Sequence, residues 1–118
     1  MSGRIPGKWI DDLFQKIGPS GSFEKLNIFA KDLTAEGFSL TQYILQLHEK
    51  VVFDETIPDS KKAAICEKLA VAEGRLHDGA NEYLQILDVT TLIMNQMANS
   101  SAWIKIFFKI TFLRMRNN

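Results

Sequence analysis

The chain has 118 residues, 14 Lys and Arg against 14 Asp and Glu, 46% hydrophobic residues and a single cysteine. That length makes one domain, and folding should bury about 60 to 70% of its extended-chain surface, enough for a core without covalent staples. One Cys excludes a disulfide framework and a thiolate zinc cluster, two His are too few for a nitrogen and sulfur cage, and the ordinary charged content excludes wholesale disorder.

Helical punctuation dominates from the start. Pro6 suits a first helical turn, and Trp9, Leu13, Phe14 and Ile17 then fall on one face until Gly18-Pro19 ends the segment. Ser22 is the natural N-cap of a second helix, whose stripe is Phe23, Leu26, Ala30 and Leu33. Gly37 closes it as a C-cap glycine. Ser39 and Gln42 form an S-x-x-Q capping box for a third helix, with Phe38 and Tyr43 in staple positions and Leu40, Ile44, Leu47 and Val51 as the apolar face.

Residues 53–58 read as a loop, and Asp59 or Ser60 caps a fourth helix. Its stripe is Ile65, Leu69, Ala72 and Leu76, thickened by Cys66 and Ala70, while Gly74 weakens it by about 1 kcal/mol relative to Ala. Gly79 marks the break before a fifth helix, from about Ala80 to Met97, that uses Leu84, Leu87, Thr91 and Met94 with Tyr83 and Ile93. The expected architecture is an all-α five-helix bundle over residues 1–98, with short connections that make neighbours mostly antiparallel.

Residues 99–118 form a basic-aromatic tail that departs from this grammar. Ile104, Ile106, Phe108, Ile110 and Phe112 alternate with Lys105, Phe107, Lys109 and Thr111, a strand-like period in a place without a sheet partner. Continuation of the fifth helix is the other reading, and the residues leave both open. Because Ile106 to Leu113 carries one charge and no proline, the segment is also a β-aggregation hazard.

Charge is divided unevenly. The tail holds Lys105, Lys109, Arg114 and Arg116 and no acid, whereas the other 98 residues hold 10 bases and 14 acids. A body with an acidic balance has little reason to grip a phosphate backbone, since non-specific affinity comes from Lys and Arg. The first 25 residues lack a continuous apolar run, and the stretch from Trp103 to Met115 is too short to cross a membrane. A soluble, intracellular protein without a membrane partner is expected.

The stretch EKLAVAEGRLHDGANEYLQILD, Glu67 to Asp88, resembles the C-terminal helices of replication factor C small subunits. Upstream, FQKIGPSGSFEKL and KDLTAEGFSLTQYILQLHEKVV resemble the first three helices of the same region in order and spacing, so the likeness runs from about Gly3 to Met97. The resemblance implies the third domain of a longer AAA+ protein, packed with sister domains into a five-membered collar. The complex so built loads the sliding clamp onto primer-template DNA in the nucleus, in replication and repair, coupled to ATP. Partners implied are the other replication factor C subunits, with clamp and DNA reached only through the whole complex.

Two departures qualify this likeness. No G-x-x-x-x-G-K followed by Ser or Thr occurs; Gly3, Gly7 and Lys8 have the wrong spacing and precede Trp9. Phosphoryl transfer therefore has no phosphate cradle here, and neither a catalytic residue nor a cofactor is expected. The tail also has no counterpart in the family pattern, so a truncated or variant form is the expectation.

Other chemistry-bearing residues have bland readings. His48 and Glu49 diverge by about 100° on a helix and read as a surface pair; His77 suits the negative end of a helix dipole. Cys66 on an apolar stripe is an inert thiol. Lys61 and Lys62, beside Lys68, read as a solvated face. Gly79 can take the positive φ that ends helix 4, with Glu82 opening helix 5. Trp9, Phe29 and Phe53, as aromatics beyond the needs of the core, are candidates for a surface that meets homologous domains. A free-standing helical domain that binds nucleic acid through the tail is the alternative. Replacing Ser39 by Ala should destabilise the domain by about 1 kcal/mol in a urea titration, the usual worth of a lost N-cap.

Overall fold

The computed structural model describes residues 3–18, 21–98, 112, 115 and 116. Five helices follow in order: α1 (Lys8–Lys16), α2 (Phe23–Ala35), α3 (Leu40–Phe53), α4 (Asp59–His77) and α5 (Glu82–Ala98). There is no strand among the described residues, so the fold is the all-α bundle expected. Phe112, Met115 and Arg116 are helical and exposed; the rest of the tail's expected pattern lies outside the described residues.

Each helix begins on an identifiable acceptor. The Ser22 and Ser39 hydroxyls accept from the N–H groups of Lys25 and Gln42, both at 3.3 Å. Gln42 does not complete the expected box, because its side-chain amide turns instead to Gln46 Oε1 at 3.0 Å. The backbone carbonyl of Pro58, not the side chain of Asp59 or Ser60, opens α4 by accepting from Lys61 and Lys62. Pro6 sits one residue before the Gly7 N-cap of α1 rather than inside the first turn.

The α4–α5 connection is a tight reversal. Ala80 N–H donates to Arg75 O at 2.9 Å and Gly79 N–H to Leu76 O at 3.1 Å, the bond pair of a Schellman motif. Gly79 has φ +89°, a left-handed conformation that a Cβ disfavours. Asn81 Oδ1 then accepts from Leu84 N–H at 2.9 Å, which explains why α5 starts at Glu82 rather than Ala80.

The main helix contacts form a closed circuit: α1 on α2, α2 on α5, α5 on α4, α4 on α3 and α3 on α1. Inside it lie Leu13, Leu26, Leu33, Ile44, Leu47, Ile65, Leu69, Ile86 and Ile93, all fully buried. Ile5 and Ile57, from outside the helices, plug the core as well. The α5 face differs from the sequence expectation. Ile86, Val89, Thr90, Ile93 and Met97 are buried, while Leu84 is 56% exposed and Leu87, Thr91 and Met94 are half-buried. The face that α5 turns to α2 and α4 is thus displaced by one residue from the Leu87–Thr91–Met94 stripe, to Ile86, Thr90 and Ile93. Phe23 is likewise exposed, whereas Phe29 is buried, and Phe53 is the last residue of α3 rather than loop.

An aromatic run joins the first three helices. Trp9 lies 5.9 Å from Phe29 and 6.0 Å edge-on from Phe38, and Phe29 lies 6.5 Å from Tyr43. Tyr43 is wholly buried, and its hydroxyl donates to Trp9 O at 2.8 Å. Burial, with the negative charge of Asp12 as a lesser cause, holds its phenol well above the ordinary tyrosine range.

The raised phenol fixes an alkaline limit. Above about pH 10 the unfolded chain releases the Tyr43 proton while the fold retains it, so stability falls as pH rises. Tyr43→Phe should cost about 1 kcal/mol at pH 7 by deleting the bond to Trp9. It should also flatten the decline between roughly pH 10 and 12, read from urea midpoints of the two proteins. Gly74, inside α4 with nothing within 4 Å of an added Cβ, gives the opposite sign: Gly74→Ala should stabilise by about 0.5–1 kcal/mol in the same titration.

Candidate functional site

The reactive side chains stand apart from one another. His48 is exposed on α3, and Glu49 beside it pairs with Arg4 at 3.3 Å. His77 is exposed at the last position of α4, directly before the Asp78 C-cap. Cys66 is half-buried; burial pushes its thiol up, and Lys62 opposes that only in part, so little thiolate forms near neutrality. No group of three or more His, Cys, Asp or Glu is placed to hold a metal among the described residues. A shallow groove lined by Gln15, Lys16, Lys25 and Ile28 is open to solvent.

The expected basic spot is largely tied down. Lys62 Nζ donates to Val52 O at 3.0 Å, placing an ammonium on the carbonyl end of α3. Lys68 Nζ lies 2.5 Å from Asp88 Oδ2, and Arg75 lies 3.7 Å from the same oxygen.

What the surface does offer is apolar. Phe53 is 81% exposed at the end of α3; Val52 beside it and Leu45, seven residues earlier on the same helical face, are also exposed. A second group lies on α2, α4 and α5. Phe23 is one turn before Asn27, whose Oδ1 accepts from the Tyr83 hydroxyl, and Leu84 follows Tyr83. Val71 shares the α4 face of Lys68 and Arg75, and Leu84 lies one turn before Asp88, so both flank a charge-paired seam between α4 and α5. Such apolar positions with paired charges beside them suit a protein interface better than a reaction centre.

The sequence-derived candidates divide by position. Ser39 caps α3, Gly79 turns the chain between α4 and α5, and Glu82 is exposed in the first turn of α5. Trp9 is half-buried between Phe29 and Phe38. Phe29 is only 2% exposed, so its ring fills the interior and offers no outer surface. Leu45, Leu84, Phe23 and Val71 went unnoticed as surface residues. Leu45 has a legible signal, since it falls between the stripe positions of α3, whereas Leu84 and Phe23 fit a helical stripe and give none.

Gln46 was also missed. It is buried on α3, where its Oε1 accepts from Ile5 N–H at 2.8 Å and its Nε2 donates to Ile5 O at 2.9 Å.

Comparison with known proteins fits this picture. Residues 5–91 match the family described as "Replication factor C C-terminal domain". A human protein named replication factor C subunit 4 is 40% identical over 100 residues, which cover 85% of this chain and 27% of that protein. Replication factor C subunit 2 of rice (Oryza sativa subsp. japonica) is 40% identical over 91 residues, covering 77% and 26%. Replication factor C subunit 4 of Arabidopsis thaliana is 40% identical over 102 residues, covering 83% and 30%. The chain thus spans between a quarter and a third of the length of these curated relatives. No helix among the described residues is long and apolar enough to cross a membrane. The matched span contains α1 to α4 and the first half of α5, with the capped turns and most of the buried core, and the chain belongs to the replication factor C C-terminal domain family.

Proposed function

We propose that this chain is a non-catalytic oligomerisation domain, the collar element of a replication factor C small subunit. It supports assembly of the ATP-dependent complex that loads the sliding clamp onto primer-template DNA in replication and repair in the nucleus. Residues 1–98 are the collar domain and residues 99–118 an atypical appendage. Its partners are the other subunits; clamp and DNA are met through the complex.

One observation carries this reading: a family match across the bundle coincides with a surface where large apolar side chains stand outside an already filled core. Subunit contacts of obligate complexes are large and hydrophobic, and their anchors are commonly aromatic. Phe53 on α3 and the Phe23–Leu84–Val71 group are the anchors assigned here, with Trp9, Glu82 and the Gly79 turn contributing beside them.

Capture of the other replication factor C subunits by the tagged chain tests the proposal. Residues 1–98 alone should capture them as well as the full chain does. Phe53→Ser should weaken capture by roughly tenfold or more, as loss of an interface anchor does, while the urea midpoint of the isolated chain stays within about 0.5 kcal/mol, because the ring is outside the core. No capture by either form would remove the reading. Retention on DNA that falls steeply with salt, and is lost with residues 99–118, would favour the nucleic-acid alternative instead.

A further inference from the structure

A buried side-chain amide normally marks a polar group that the fold must use, because leaving it unpaired costs about 1–3 kcal/mol. Gln46 is such a group. It is 5% exposed, and both ends of its amide are spent on one residue, Ile5, that lies 41 positions earlier in the chain. The paired bonds reproduce those of a strand neighbour: Ile5 N–H donates to Oε1 while Ile5 C=O accepts from Nε2. Gln42 Nε2, one turn earlier on α3, donates to the same Oε1 and fixes its rotamer. Ile5 itself is buried in the core, and Arg4 meets Glu49 one turn beyond Gln46.

We propose that Gln46 is a positioning residue that straps the segment 3–6 to α3 through Ile5, so that the chain entering the domain is held by α3 rather than hinged at the start of α1. Without the strap, the buried Ile5 side chain would still hold the segment between the exposed Gly3 and the Gly7 N-cap, but its backbone direction would not be fixed. With it, the direction in which the polypeptide leaves residue 3 is set by α3. The coupling rests on the family reading only for what precedes it: in relatives several times longer, a preceding domain would inherit its orientation from α3 through this amide. The clamp itself depends on no partner and is testable on the 118-residue chain.

Amide hydrogen exchange followed by NMR reads it residue by residue. In the native chain Ile5 N–H should exchange at least about tenfold more slowly than Gly3 N–H, the protection expected of one buried bond. Gln46→Met, which fills the site without an amide, should remove most of that protection while Ile44 and Leu47 keep theirs. Glu49→Ala should change Ile5 protection by less than about twofold, since an exposed ion pair contributes little. Ile5 exchanging as fast as Gly3 in the native chain would overturn the proposal. So would unchanged Ile5 protection in Gln46→Met, or its loss in Glu49→Ala alone. If Gln46→Met does not fold, the native profile and Glu49→Ala decide between the same outcomes. Subunit capture plays no part in this readout, so a failed strap and a failed collar assignment are distinguishable.

Discussion

Everything in this domain depends on one constraint: five short helices, none of which can hide its apolar face alone, must close into a circuit. Each has two principal neighbours, and α5 meets α2 and α4 although it lies last in the chain. A helix with two partners needs a wide apolar surface, which is why α5 carries Ile86, Val89, Thr90, Ile93 and Met97 toward the interior and Leu87 and Met94 at its margins. The circuit also explains the Tyr43 hydroxyl. A polar tip at the α1–α3 contact must be satisfied within the core, and the Trp9 carbonyl does so at 2.8 Å.

The helices themselves were legible because their ends are chemically marked. Ser22, Ser39, Gly37 and Gly79 are local signals that act within four residues, and each helix boundary they mark falls within a residue or two of the sequence reading. Phase on α5 was less legible, since adjacent apolar residues, Ile86 beside Leu87 and Ile93 beside Met94, allow two stripes one residue apart. Ile5 and Ile57 were missed for a related reason. Each is an isolated apolar residue beside proline, without periodicity, and only the tertiary fold brings it inward. Gln46 is the sharpest case: a glutamine between Leu45 and Leu47 reads as solvent-facing, and its partner is 41 residues distant.

The surface was readable in kind but not in place. An excess of aromatic residues over the needs of a small core is legible, but which of them stand outside it is not: Phe53 is exposed and Phe29 is buried. Phe53 is thrown outward by its position at the final turn of α3, where Asp54 breaks the helix. Asp54 Oδ1 then accepts from both the N–H and the hydroxyl of Thr56, turning the chain toward buried Ile57. Thus the residue that ends the helix also fixes the aromatic ring on its outer side.

The Schellman reversal between α4 and α5 bears on the order of assembly. Two residues, Ala80 and Asn81, separate the Gly79 turn from α5, so the α4–α5 hairpin closes over a very short loop and loses little chain entropy in forming. The α3–α4 pair is nearly as local, whereas α2 against α5 and Ile5 against Gln46 join distant parts of the chain. A folding route that begins in the carboxyl-terminal half, gathers α2 onto an existing hairpin and seats the amino-terminal residues last follows from this topology. The carboxyl-terminal hairpin would then serve as the template for the remaining helices.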